Sequence, residues 1–298
     1  FGIVAATPHP QVLTYKNDKG TRSWAAQPGQ SINYISCHDN LTFWDKLAIS
    51  NADDSEETRI RMNKLGNAII LTSQGVPFFQ AGEEMLRSKP SATVEGGFDE
   101  NSYASPDSTN SIKWSEKAAV LDTYEYYKGL IAFRKAHSAL RMAETADIQS
   151  NLVFMSGLDA NVVGYTIGNN ANGDTAEKIT VILNGNAEAV DVALPAGTWE
   201  ICVNDTTAGT ASVGTAQGTV SVAGISALVL VQGDDTIVKA DARTGSETDT
   251  SVSPESTENV KDTEKSQKSP GRAPLIAGGV IVAAAAAAAG IAVKKRKK

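Results

Sequence analysis

Histidine and cysteine are scarce in this chain, three of one and two of the other among 298 residues. Cys37 and Cys202 are too few for a disulfide framework and read as unpaired thiols, Cys37 as a small buried neighbour of a polar cluster. His9 and His137 have no metal-ligand spacing with any other His or Cys, so no metal is assigned. A basic excess is missing as well. The net charge is −7, and because Lys294, Lys295, Arg296, Lys297 and Lys298 contribute +5, residues 1–293 carry −12. An acidic body lacks the face that a phosphate backbone needs, which excludes nucleic acid as a partner. The chain starts at Phe1 with neither an initiator methionine nor a signal peptide. Pro8, Pro10, Gly20, Pro28 and Gly29 leave the first thirty residues little periodicity, so the chain reads as the downstream piece of a longer one.

What is present begins with Ser31-Ile32-Asn33-Tyr34-Ile35-Ser36-Cys37-His38-Asp39-Asn40. Ile32, Tyr34 and Ile35 are β-formers in a run of about six residues, and polar side chains cluster at its C-terminal end. In a parallel α/β barrel that end carries the chemistry, because the loops leaving the strands form the substrate mouth. Asp53, Asp54, Glu56 and Glu57 then lead into a helix with Met62, Leu65, Ile69 and Thr72 on one face, stopped by Gly75 and Pro77. Val76–Phe79 reads as a fully buried parallel strand. Residues 81–115 form a long loop, and Tyr124, Tyr127, Leu130, Ile131 and Arg134 mark a second helical face. Strand, helix, strand and helix make a quarter of an eightfold barrel over residues 1–148.

Residues 149–233 switch to short β segments: Leu152–Met155, Val162–Ile167, Ile179–Leu183, Val190–Leu194, Trp199–Val203, Thr219–Val222 and Ala227–Val231. Seven such runs predict an antiparallel β-sandwich with Trp199 in its core. Residues 234–273 are rich in Ser, Thr, Glu, Asp and Lys and read as a disordered linker. Pro274–Val293 is a charge-free stretch of 20 residues, which as a helix rises to roughly 30 Å, a bilayer core. With the basic tail at 294–298 it predicts a transmembrane anchor whose C-terminus is cytoplasmic.

Asn33-Tyr34-Ile35-Ser36-Cys37-His38-Asp39-Asn40-Leu41-Thr42-Phe43-Trp44-Asp45 resembles the fourth sequence region of the α-amylase clan of glycoside hydrolases, in the form carried by type I pullulanases. The resemblance continues through Leu71–Glu84 and Asn101–Asn110, similar to the last barrel strand and the loop after it. Tyr127–His137 resembles the closing barrel helix. The resemblance covers roughly residues 1–232.

It implies a C-terminal segment of a retaining α-1,6 debranching enzyme acting on α-glucans such as pullulan and starch, without an organic cofactor; calcium cannot be derived from the residues. Cleaving a glycosidic bond builds positive charge on the anomeric carbon, which a nucleophilic carboxylate and an acid/base carboxyl meet. By resemblance Asp39 is the transition-state stabiliser, His38 a hydroxyl-binding imidazole and Asn40 a further substrate contact. Tyr103 supplies a sugar contact or is a packed loop aromatic. The clan's nucleophile and acid/base lie on earlier strands, and nothing here aligns with them. Glu83 and Glu84 read as paired with Arg or backbone groups under the loop, and Trp44 as core or cleft lining. The tail resembles a Gram-positive surface anchor without Leu-Pro-x-Thr-Gly, which implies an extracellular domain held at the bacterial plasma membrane. Isoamylase, amylopullulanase and a non-catalytic starch-binding surface protein remain alternatives.

Overall fold

The computed structural model describes residues 1–12, 16–17, 20–21 and 23–239. The described residues all belong to one compact unit, the first of the chain. The expected 274–293 span, the 294–298 tail and most of the 234–273 linker lie outside the described residues. Among the described residues no helix is long and apolar enough to cross a membrane.

The first unit opens with a short antiparallel pair, β1 (Lys16–Asn17) and β2 (Gly20–Thr21). Next, β3 (Ile32–Asn33) runs parallel to β4 (Val76–Pro77), and α1 (Phe43–Ser50) and α2 (Glu56–Thr72) form the crossover between them. A crossover of this kind is what parallel pairing demands. Each strand is two residues long, shorter than the apolar runs predict. Each has one neighbour among the described residues, so its far edge has nothing to pair with. Ile32 is 60 % exposed, and Tyr34, Val76 and Phe78 are exposed as well, which corrects the expectation that Val76–Phe79 is fully buried.

Helix α2 starts as the acidic run predicts: Ser55 accepts from the Thr58 N–H, and Glu56 and Glu57 occupy the first turn. Its buried face differs. Asn63, Gly66, Asn67, Ala68, Leu71 and Thr72 are buried, whereas Met62, Leu65 and Ile69 are half-buried. Gly66 explains part of the difference, since a Cβ there would sit 2.7 Å from Ile35 and 2.8 Å from Phe43. The helix approaches the site strand and α1 through its smallest residue.

After α3 (Asp107–Asn110), α4 (Leu121–Ala136) buries Tyr126, Tyr127, Leu130, Phe133 and Arg134. Tyr124 and Ile131 of the predicted face are half-buried. Arg134 donates to the carbonyls of Leu71, Ser73 and Gly75 at 2.9, 2.6 and 2.8 Å, taking up acceptors that the end of α2 leaves without partners. Burial lowers its guanidinium to about 10, still charged at neutral pH. Gly75 turns there at φ +87°.

Helix α5 (Thr145–Asn151) leads into β5 (Leu152–Phe154), β6 (Val162–Ile167), β7 (Lys178–Asn184), β8 (Val190–Val203), β9 (Thr215–Val222) and β10 (Ser226–Gln232). They form one antiparallel sheet in the order β5-β6-β7-β10-β8-β9. The predicted runs 190–194 and 199–203 are a single strand, bent where the register shifts between Ala193 and Thr198. The structure therefore has one six-stranded sheet where two stacked sheets are expected. The reason is that helices take the place of the second layer: Tyr165, Ile179, Val181, Val229 and Val231 share a core with Ala68, Leu71, Leu130 and Phe133. On the other face, Trp199 is wholly buried among Ile182, Val192, Val222, Leu228 and Leu230. The core crosses the 148/149 boundary, and Tyr165 Oη donates to the Thr72 carbonyl at 2.9 Å.

Residues 234–239, expected to be disordered, are part of the fold. Ile237 is buried and the Val238 carbonyl accepts from the Ser212 N–H at 2.9 Å. A short apolar pair suffices to extend the sheet region past the start of the polar tract.

Candidate active site

Past β3 the chain passes through Ser36 and Cys37 and turns at Asn40, whose φ is +62°, a left-handed conformation that asparagine tolerates. Thr42 then caps α1 by accepting from the Asp45 N–H at 3.1 Å. His38, Asp39 and Asn40 are thereby held between a strand end and a helix cap. The His38 Nε2 and Asp39 Oδ1 atoms lie 3.5 Å apart, with side chains 85 % and 77 % exposed. Cys37 is half-buried beside them, less enclosed than expected.

His38 and Asp39 line a groove of about 320 Å³ together with Tyr103 and with Gln80, Arg87, Lys89, Glu100, Asn101, Ser102 and Asn110. Three of the four sequence-derived site residues therefore share one surface. Asn40 is exposed but does not line the groove. Tyr103 is 88 % exposed, so its ring is free rather than packed.

The loop that presents Tyr103 is tied down by polar contacts. Asn110 Nδ2 donates to the Ser102 and Ser105 carbonyls at 2.6 and 3.0 Å, and Asp99 accepts from the Asn101 N–H and the Ser105 hydroxyl. Arg87 donates to the carbonyls of Ala81 and Asn110, joining both ends of the loop.

Glu83 is buried and does not line the groove. Its oxygens accept from Ser36 Oγ at 2.9 Å, Asn67 Nδ2 at 2.9 Å and the Gln80 N–H at 3.2 Å, and Asn67 also donates to the Tyr127 hydroxyl. Burial raises the Glu83 carboxyl above its ordinary value, and these hydrogen bonds offset part of the rise. The partners are a hydroxyl, an amide and a backbone N–H, with no arginine among them. Glu84 accepts from the Gly82 N–H. Trp44 is neither core nor cleft; it is half-buried, with the Arg59 guanidinium 6.0 Å over its ring.

Sequence reasoning passed over Arg87, Lys89 and Glu100. The only signal was two cations in three residues, Arg87-Ser88-Lys89, inside a loop of an acidic chain. It also missed a cluster at His137. His137, Asp174 and Asp234 bring ligand-type atoms within 4.8 Å of one another. Asp174 accepts from His137 Nδ1, the Ala139 N–H and the Ala176 N–H. Asp234 accepts from Thr175 and Thr236. With its oxygens taken by the chain's own donors, the cluster is a clasp from the end of α4 to the sheet.

Residues 148–207 match the family model of the pullulanase all-beta domain. The pullulanase of Bacillus subtilis strain 168 is 35% identical over 182 residues, 59% of this chain and 24% of the relative. The solved pullulanase from Bacillus acidopullulyticus superposes with a TM-score of 0.66 at 41% identity, over 70% of this chain and 25% of that one. This chain is a relative of the pullulanases of the α-amylase clan. The type I pullulanase of Bacillus subtilis 168, solved in complex with maltose, superposes with a TM-score of 0.67 at 30% identity, over 78% of this chain and 30% of that one. The pullulanase likeness thus extends from the all-beta domain across the α/β part that bears His38 and Asp39. The chain spans about a quarter of the length of the Bacillus subtilis pullulanase.

Proposed function

We propose that this chain contributes one sector of the active site of a retaining, type I pullulanase-like glycoside hydrolase that cleaves α-1,6 branch linkages in pullulan, starch and related α-glucans. The α/β part is then the last quarter of an eightfold barrel. The observation that carries the reading is the groove in which Asp39 and His38, at the exit of β3, meet Tyr103. An ionised carboxylate directed into a sugar-sized cleft stabilises an oxocarbenium ion. His38 hydrogen-bonds sugar hydroxyls, and the Tyr103 ring offers a stacking face. The nucleophile and acid/base come from earlier strands of the same enzyme. Glu83 is already engaged by Ser36 and Asn67 and does not line the groove, which supports assigning those roles elsewhere. The charge-free stretch at 274–293 with its basic tail anchors the enzyme at the bacterial cell surface, and truncation after Gly271 should release it to the medium.

The test is steady-state hydrolysis of pullulan by the intact protein encoded by the complete reading frame. Asp39→Asn keeps the shape but removes the charge, and loses about 10²–10³ in kcat, with kcat and kcat/KM falling together. His38→Ala mainly raises KM. Near-wild-type kcat for Asp39→Asn at an unchanged melting temperature removes Asp39 from the role. Tight α-glucan binding by the intact wild type without any turnover replaces the enzyme reading with a binding one.

A further inference from the structure

Lys89 is 2 % exposed although it borders the groove. A buried ammonium is costly unless its donors are used. Its Nζ donates to the His38 carbonyl at 2.9 Å. Its backbone N–H donates to Asp45 Oδ2 at 2.8 Å, and its carbonyl accepts from the Asp99 N–H at 2.8 Å. Asp45 is itself wholly buried and sits in the first turn of α1, where Thr42 caps it.

These contacts close a ring. From His38 the chain runs through Asp39 to Thr42 and Asp45, crosses to Lys89 through the Asp45 carboxylate, and returns to His38 through the Lys89 ammonium. The ring encloses the turn that carries Asp39, and it ties that turn to the segment leading to Asp99 and the Tyr103 loop. Solvent screens the exposed Asp39 and His38 side chains, so their placement depends on this main-chain anchorage.

We infer that Lys89 is the positioning residue of this site: through the His38 carbonyl it fixes the Asp39 turn in register with the opposite wall of the groove, without itself touching substrate. The inference rests on the glycosidase reading above. A misplacement of about 1 Å in an active site costs about 10²-fold. Loss of this anchor should therefore lower kcat about 10–100-fold and change KM less than about threefold, because only the alignment with the transition state is lost.

The experiment uses the intact protein on pullulan and compares wild type, Lys89→Met and Lys89→Cys. Lys89→Cys is placed in a background whose other cysteines, Cys37 and the buried Cys202 among them, are replaced by serine or alanine, and is also alkylated in urea with 2-bromoethylamine, which rebuilds an ammonium on a side chain of lysine length, or with iodoacetamide, which does not. The same background with Lys89 retained is carried through the same steps and sets the reference for recovery. The expected result is a kcat loss in both variants, recovery after aminoethylation and no recovery after carbamidomethylation. If Lys89→Met does not fold, the cysteine pair carries the same comparison. Turnover by either variant within twofold of wild type overturns the positioning role, as does complete aminoethylation, confirmed by mass, without recovery. An inactive wild type strikes the glycosidase reading instead, so the two failures are distinguishable.

Discussion

The α/β part and the sheet part of the described unit are built from opposite materials. In the sheet, β7 and β10 bury nearly every side chain, and most are Val, Leu or Ile. In the α/β part the enclosed groups include Asp45, Asn63, Asn67, Glu83, Lys89 and Arg134. Apolar burial is non-directional and scales with area, so it stabilises the sheet whatever the details of contact. Hydrogen-bonded polar groups contribute less net stability but fix direction, since each unmade bond is costly. The sheet part is made for stability and the α/β part for position. The seam between them uses both, a shared apolar core and hydrogen bonds such as that from Tyr165 to the Thr72 carbonyl.

This contrast can be broken by mutation. Trp199→Ala removes the largest buried side chain of the sheet and should cost about 3–5 kcal/mol, read by chemical denaturation of the intact protein. A loss under 1 kcal/mol would mean that the sheet does not depend on its apolar core. Arg134→Met leaves the Leu71, Ser73 and Gly75 carbonyls without their donor and should cost about 3 kcal/mol. Hydrogen exchange should quicken at the end of α2 before it does in β7 and β10. Uniform acceleration would show that the two parts do not open separately.

Tyr165→Phe deletes one hydroxyl at the seam and should cost about 1 kcal/mol. If it costs nothing, this hydrogen bond does not help to join the parts. The smallest effect is expected at Asp174. Burial acts to raise its carboxyl, but hydrogen bonds from His137, Ala139 and Ala176 outweigh that and hold it below the usual range. A carboxylate depressed in the folded state adds stability above its unfolded pKa and loses it as pH falls through the folded one. Stability should therefore decline below about pH 4 more steeply in wild type than in Asp174→Asn. Parallel profiles would remove the clasp from the acid response.

The sheet was legible because its signal is local. Val162–Ile167 is observed with the predicted bounds, and Trp199 lies in the core as its place in a β run implies. The break assumed between residues 194 and 199 falls inside β8, which pairs with β9 on either side of it, through Val190–Ala193 and Thr198–Glu200, across a register shift. In the α/β part the apolar spacing set the face of α2 on Met62, Leu65, Ile69 and Thr72, of which Thr72 is buried. The observed face runs through Asn63, Gly66 and Asn67, whose burial depends on partners elsewhere in the chain: Glu83 and Tyr127 for the amides, Ile35 and Phe43 for the glycine.

The sequence by itself determined that His38 and Asp39 follow a short strand and that a β domain comes after the α/β part. Those properties belong to residue types and to the order of neighbours along the chain. Only the tertiary structure decided that Tyr103 faces the same groove, that Glu83 is held by Ser36 and Asn67 and that Lys89 holds the His38 carbonyl. A polar side chain takes its role from the partner it reaches, and here the partners are 16 to 51 residues away in sequence.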